Sequence, residues 1–131
     1  MTPELSALAV AILLHVALQG LFAVRANREL GPRYTTGPRD TLPERPLGST
    51  TARIQRATDN SLDSLILFAP AALMVGLSHY GGPITAAAAW VFVAARLLYI
   101  PAYALGLAPW RSAVWMLGLA ATVVLVVATL V

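Results

Sequence analysis

Apolar residues run without a formal charge from Leu5 to Val24, 20 residues in all. As a helix such a run crosses roughly 30 Å of hydrocarbon. His15 and Gln19 are its only strongly polar members; lying four apart, they are expected to share one face and to hydrogen-bond to a neighbouring helix. Arg25, Arg28 and Glu29 close the run, giving a helix predicted over residues 4–26. A second long helix is predicted over 51–80. Its first turns are polar (Arg53, Gln55, Arg56, Asp59, Asn60, Asp63), and Ser64 to Ser78 is apolar. The polar half is expected to project from the bilayer or to line a protein cavity. A third helix is predicted over 84–105, interrupted by Arg96 and Pro101; membrane helices tolerate proline where neighbours satisfy the freed carbonyl. The fourth, over 109–131, opens with Pro109 at a favourable first position and holds an uncharged run from Ser112 to Val131.

Turn chemistry separates these elements. Pro32, Pro38, Pro43 and Pro46, with Gly31 and Gly37, predict a loop over 27–50, with Ser49 or Thr50 capping the next helix. Gly81-Gly82-Pro83 and Gly106-Leu107-Ala108-Pro109 predict two short turns. The fold expected is all-α: a single transmembrane domain over 1–131, a four-helix bundle running up-down-up-down.

Composition supports a membrane reading. With 58% hydrophobic and 11% charged residues, the chain lacks the polar surface of a soluble domain. It has no cysteine, which excludes disulfides, a protein thiolate and cysteine metal ligation. The two histidines are expected far apart, so no metal site is predicted. The N-terminal Met1-Thr2-Pro3-Glu4 lacks a basic region, so the first span is expected to be a retained helix rather than a signal peptide.

All nine basic residues are arginine, and seven lie between Arg25 and Arg56. Arg111 falls in the other loop on the same side, while the side with both termini and the Gly81 turn has none. The positive-inside rule places the arginine-rich loops in the cytoplasm and both termini opposite, as in a bacterial inner membrane. Because the arginines flank apolar spans, membrane lipids or a small anion are the expected partners rather than nucleic acid. Trp110 and Trp115 suit interfacial anchors.

Two stripes carry candidate chemistry. Arg53, Arg56, Asn60 and Asp63 are three, four and three apart, which places them on one face of the second helix. Arg96, Tyr99 and Tyr103 do the same on the third. An arginine as deep as Arg96 is costly and usually faces a partner or a wet cavity.

These segments resemble a known family. Arg53-Ile-Gln-Arg56-Ala-Thr-Asp-Asn60-Ser-Leu-Asp63 looks like the helix-two signature of the MAPEG proteins, the membrane-associated proteins of eicosanoid and glutathione metabolism. Ala95-Arg96-Leu-Leu-Tyr99-Ile-Pro-Ala-Tyr103 is similar to their helix-three motif, and Ala108-Pro109-Trp110-Arg111-Ser112 to the start of their helix four. Arg39-Asp40 before a proline-rich stretch looks like bacterial members. The resemblance implies a homotrimer with glutathione bound between subunits as co-substrate. It implies that Arg53, Arg56, Asn60, Asp63, Arg96, Tyr99 and Tyr103 bind the tripeptide, and that Arg111 stabilises its thiolate. Asp63 stands where glutamate is usual. The expected function is a membrane-bound glutathione-dependent transferase or peroxidase acting on a lipophilic electrophile. The alternatives are a non-catalytic lipid- or thiol-binding scaffold of the same fold and a small four-helix exporter.

Overall fold

The structure is a computed structural model and describes residues 1–130. Its helices are α1 (Pro3–Leu30), α2 (Pro32–Thr35), α3 (Ser49–Gly76), α4 (Pro83–Ala104) and α5 (Trp110–Ala128), with no strand among the described residues. Three of them, α1, α4 and α5, are long and apolar enough to cross a membrane. The α3 helix has comparable length, but its arginine-bearing half is polar.

The boundaries follow local chemistry. Thr2 caps α1 by accepting from the Leu5 N–H at 3.4 Å, and Pro3 opens the first turn. The helix passes the predicted end at residue 26 and continues to Leu30, because the first breaker is Gly31, at φ +82°. Pro32 then starts α2, a single turn absent from the sequence reading. The α3 helix begins at Ser49 rather than 51 and ends at Gly76 rather than 80.

The base of the loop between α1 and α3 is clamped by one carboxylate. Glu29 accepts from the Gly48 N–H at 2.8 Å and from the Thr51 hydroxyl, while Thr51 accepts from Arg25 Nε at 3.0 Å. The start of α1 is tied in a similar way. Glu4 is only 1% exposed and accepts from the Thr85 hydroxyl at 2.7 Å. Thr85 also accepts from the Gly82 N–H that precedes α4. The first turns of α1 and α4 thus meet at one carboxylate, where both helix dipoles favour negative charge.

Helix α1 packs on α3 and α4, α3 on α4 and α5, and α4 on α5. The core is stacked Phe68 and Phe92, with ring centroids 3.8 Å apart, surrounded mainly by alanine. Small residues let helix backbones approach closely where lipid supplies no hydrophobic drive. Gly76 marks such an approach: a Cβ there would lie 2.7 Å from Leu5 Cγ. Gly76→Ala is therefore expected to cost about 1–3 kcal/mol by overpacking, read as a lower thermal midpoint in detergent.

One sequence expectation fails. His15 and Gln19 lie on one side of α1 but do not hydrogen-bond to a neighbouring helix: His15 is buried at 6% exposure, whereas Gln19 is exposed. Residues four apart differ by about 40° around a helix. That offset carries Gln19 beyond the edge of the buried stripe made by Ala11, His15 and Leu18. Neither His15 ring nitrogen has a hydrogen-bond partner among the described residues.

Candidate functional site

The α3 and α4 stripes face each other near the arginine-rich end, and the start of α5 closes the group. A cavity of about 280 Å³ lies there, lined by Asn60 from α3, Tyr99 and Tyr103 from α4, and Arg111, Ser112 and Trp115 from α5. Of the residues that the sequence offers for ligand binding, Asn60, Tyr99, Tyr103 and Arg111 reach this one space.

Tyr103 stands between two cations. Arg56 Nε donates to its hydroxyl at 3.3 Å, and the Arg111 guanidinium lies 5.0 Å from its ring centroid. Tyr99 packs beside it, with ring centroids 5.5 Å apart at a tilt of 54°. This spacing follows from the four-residue step along α4, which brings successive phenols to one face.

Arg96 lies behind the cavity rather than on its wall. It is 3% exposed, and its guanidinium sits 4.6 Å from the Tyr99 ring centroid. Helix α5 presents Gly118 there, where even a Cβ would come within 3.5 Å of the guanidinium. Its one side-chain hydrogen bond among the described residues runs from Nη1 to Asn60 Oδ1, at 3.1 Å. That bond orients Asn60. With the carbonyl oxygen engaged by Arg96, the amide nitrogen is the group left to face the cavity. The walls therefore offer an amide N–H₂, two phenols, a guanidinium and a serine hydroxyl, and no carboxylate. This donor set suits an anion.

Arg53 stands apart. Its guanidinium packs over the α4–α5 turn at Gly106, where a Cβ would lie 3.0 Å from Arg53 Cζ. Gly106 also has φ +69°, so a side chain there is doubly disfavoured.

Asp63 borders a second, deeper cavity of about 160 Å³. Leu67, Phe92 and Leu119 make this space largely apolar, and Asn60 and Trp115 belong to both cavities. Its depth can be read from contacts. Thr51 is level with Arg25, Gly76 is level with Leu5, and Asp63 lies midway between them on α3. The sequence assigns Asp63 to a polar half that projects from the bilayer or lines a cavity; the structure sets it about halfway along the stretch of α3 that pairs with the apolar run of α1. It is exposed and has no hydrogen-bond or ion-pair partner among the described residues.

Two lining residues are not among the ligand-binding candidates of the sequence. Ser112 and Trp115 follow Arg111 by one and four positions, so the four-residue step from Arg111 was the available signal for Trp115. Trp115 reads equally well as a membrane-interface aromatic, the role the sequence suggests.

Compared with protein families, residues 5–131 match the model of the MAPEG family. No curated protein and no solved structure matches the chain.

Proposed function

This chain belongs to the MAPEG family, and on that premise we propose that it is a membrane enzyme that activates glutathione for attack on lipophilic electrophiles or peroxides. The observation that carries this reading is the cavity walled by donors and a guanidinium with no carboxylate. Glutathione supplies the nucleophilic sulfur and two carboxylates. Arg56 and Asn60 would hold carboxylate oxygens through charge-assisted hydrogen bonds, and Asp63, one turn deeper, would accept from the ammonium group. Tyr99 and Tyr103 complete the wall, and Arg96 keeps the Asn60 amide turned toward the ligand. Arg111 would lie at the sulfur. A free thiol has a pKa of about 8.5, and a neighbouring cation favours its ionised form.

The depth of Asp63 supports assembly. A carboxylate exposed to acyl chains at mid-bilayer is strongly disfavoured. In a homotrimer of four-span subunits, with α3 as the remaining crossing, a neighbour would cover this face and close the pocket between protomers. The arginine-rich end would face the cytoplasm, as the positive-inside rule favours.

Calorimetric titration of the protein in detergent with glutathione tests the proposal. Saturable binding at or below millimolar ligand is the expected result, and its absence at that concentration would overturn it. Asp63 also favours a second reading, because proton-coupled exporters use an embedded carboxylate. Proton-driven uptake into vesicles, lost in Asp63→Asn while glutathione fails to bind, would establish that reading instead.

A further inference from the structure

A larger concavity lies outside this site. The chain from Arg28 to Arg45 closes on itself around a space of about 830 Å³. Every lining residue comes from that one stretch, so the loop forms a pocket without help from other helices. Its two ends are held together by the Glu29 clamp on Gly48 and Thr51. Inside the loop, the Thr35 hydroxyl donates to Asn27 Oδ1 at 2.6 Å, and Arg39 Nε donates back to the Thr35 carbonyl at 3.1 Å.

The pocket is basic. Arg28, Arg33, Arg39 and Arg45 line it, against Glu29, Asp40 and Glu44. Glu29 is already committed to the clamp. No side chain accepts a hydrogen bond from Arg28, Arg33 or Arg45 among the described residues, and none of the three lies within ion-pair distance of Asp40 or Glu44.

Its depth matches the headgroup layer. Arg28 is four residues past Val24, where the apolar run ends, so it stands about 6 Å beyond the hydrocarbon edge. The polar headgroup layer occupies roughly that interval. Leu42, in the same wall, is 91% exposed and has no protein to cover it. A cationic pocket with an uncovered apolar residue at that level matches a ligand with a phosphate ester beside acyl chain.

We propose that the Arg28–Arg45 loop is a binding site for the headgroup of an anionic phospholipid. The phosphate diester meets Arg28, Arg33 and Arg45, and Leu42 lies against the chains. Zwitterionic lipid carries the same phosphate with a cation attached, so the arginine excess selects the anionic headgroup. The site shares no residue with the glutathione cavity and does not depend on that reading.

The test titrates detergent-solubilised protein with short-chain phosphatidylglycerol, short-chain phosphatidylcholine and chain-free glycerol phosphate, with bound ligand counted by native mass spectrometry. One arginine near an anionic lipid surface contributes roughly a fivefold factor. The wild type is expected to prefer phosphatidylglycerol by at least that much. R33Q/R45Q should lose about twenty-five-fold in its affinity by the same reckoning. R53Q removes a charge at the same membrane end but outside the pocket, and should change that affinity by no more than about twofold. If the double variant does not elute and melt like the wild type, R33Q and R45Q are measured singly, each with about a fivefold loss expected. Equal binding of the two lipids overturns the proposal, as does full retention of the preference without these arginines. Glycerol phosphate bound as tightly as the lipid would overturn it too, making the loop a site for soluble phosphate esters.

Discussion

Arg111→Ala is expected to bind glutathione within a few-fold of the wild type and to leave its thiol protonated. In the wild type, adding glutathione near neutral pH should produce the near-ultraviolet absorbance of a thiolate; in the variant that band should vanish. Arg111 is the cation that both lines the cavity and lies against Tyr103. Asn60, Tyr99 and Tyr103 remain to hold the ligand. Losing one preorganised group that stabilises developing charge typically lowers a rate by about 10²–10³, so turnover with a lipophilic electrophile should fall that far. Arg111→Lys keeps the charge but not the planar fork and should recover only part of it. A variant with an undiminished thiolate band would remove Arg111 from this role.

Arg96→Met should separate binding from stability. Among the described residues its guanidinium is buried, faces no carboxylate within ion-pair distance, and makes one side-chain hydrogen bond, to Asn60. An unpaired buried guanidinium carries a desolvation penalty that an apolar side chain of similar length does not. The thermal midpoint in detergent should therefore hold or rise. Binding should weaken, because the Asn60 carbonyl then has no partner and the amide can turn that oxygen toward an anionic ligand. A hydrogen bond from a charged group contributes about 1.5–3 kcal/mol, corresponding to roughly a 10- to 150-fold loss of glutathione affinity. Asn60→Leu should weaken binding on its own, and adding Arg96→Met to it should cost little more. Additive losses in the double variant would show that Arg96 acts by a route other than Asn60.

The sequence made the helices legible because each depends on local signals. The uncharged run of α1, the Gly81-Gly82-Pro83 turn and the proline-rich loop are written in consecutive residues. The ends were less legible: α1 continues through Arg25, Arg28 and Glu29 because charge ends a membrane span without ending a helix. Within the site, spacing identified Asn60, Tyr99 and Tyr103, since periodicity fixes which residues share a face. Spacing does not tell which residues of a stripe reach a cavity. Arg53, Arg56, Asn60 and Asp63 share a stripe, yet Arg53 packs on Gly106 and Asp63 lines the deeper space. Arg96 turned out to support Asn60 from behind because α5 presents Gly118 opposite it, a pairing between helices that neither stripe contains.

The junction of Glu4 and Thr85 has a consequence for biogenesis. The two residues are 81 positions apart. At typical synthesis rates, roughly 4–16 s separate their appearance. During that interval the carboxylate has neither the Thr85 hydroxyl nor the first turn of α4 beside it, and water is its best solvent. The leading end of α1 is therefore expected to stay at the membrane boundary until α4 has been inserted. α1 would then seat only after α4, with the ribosome already translating α5.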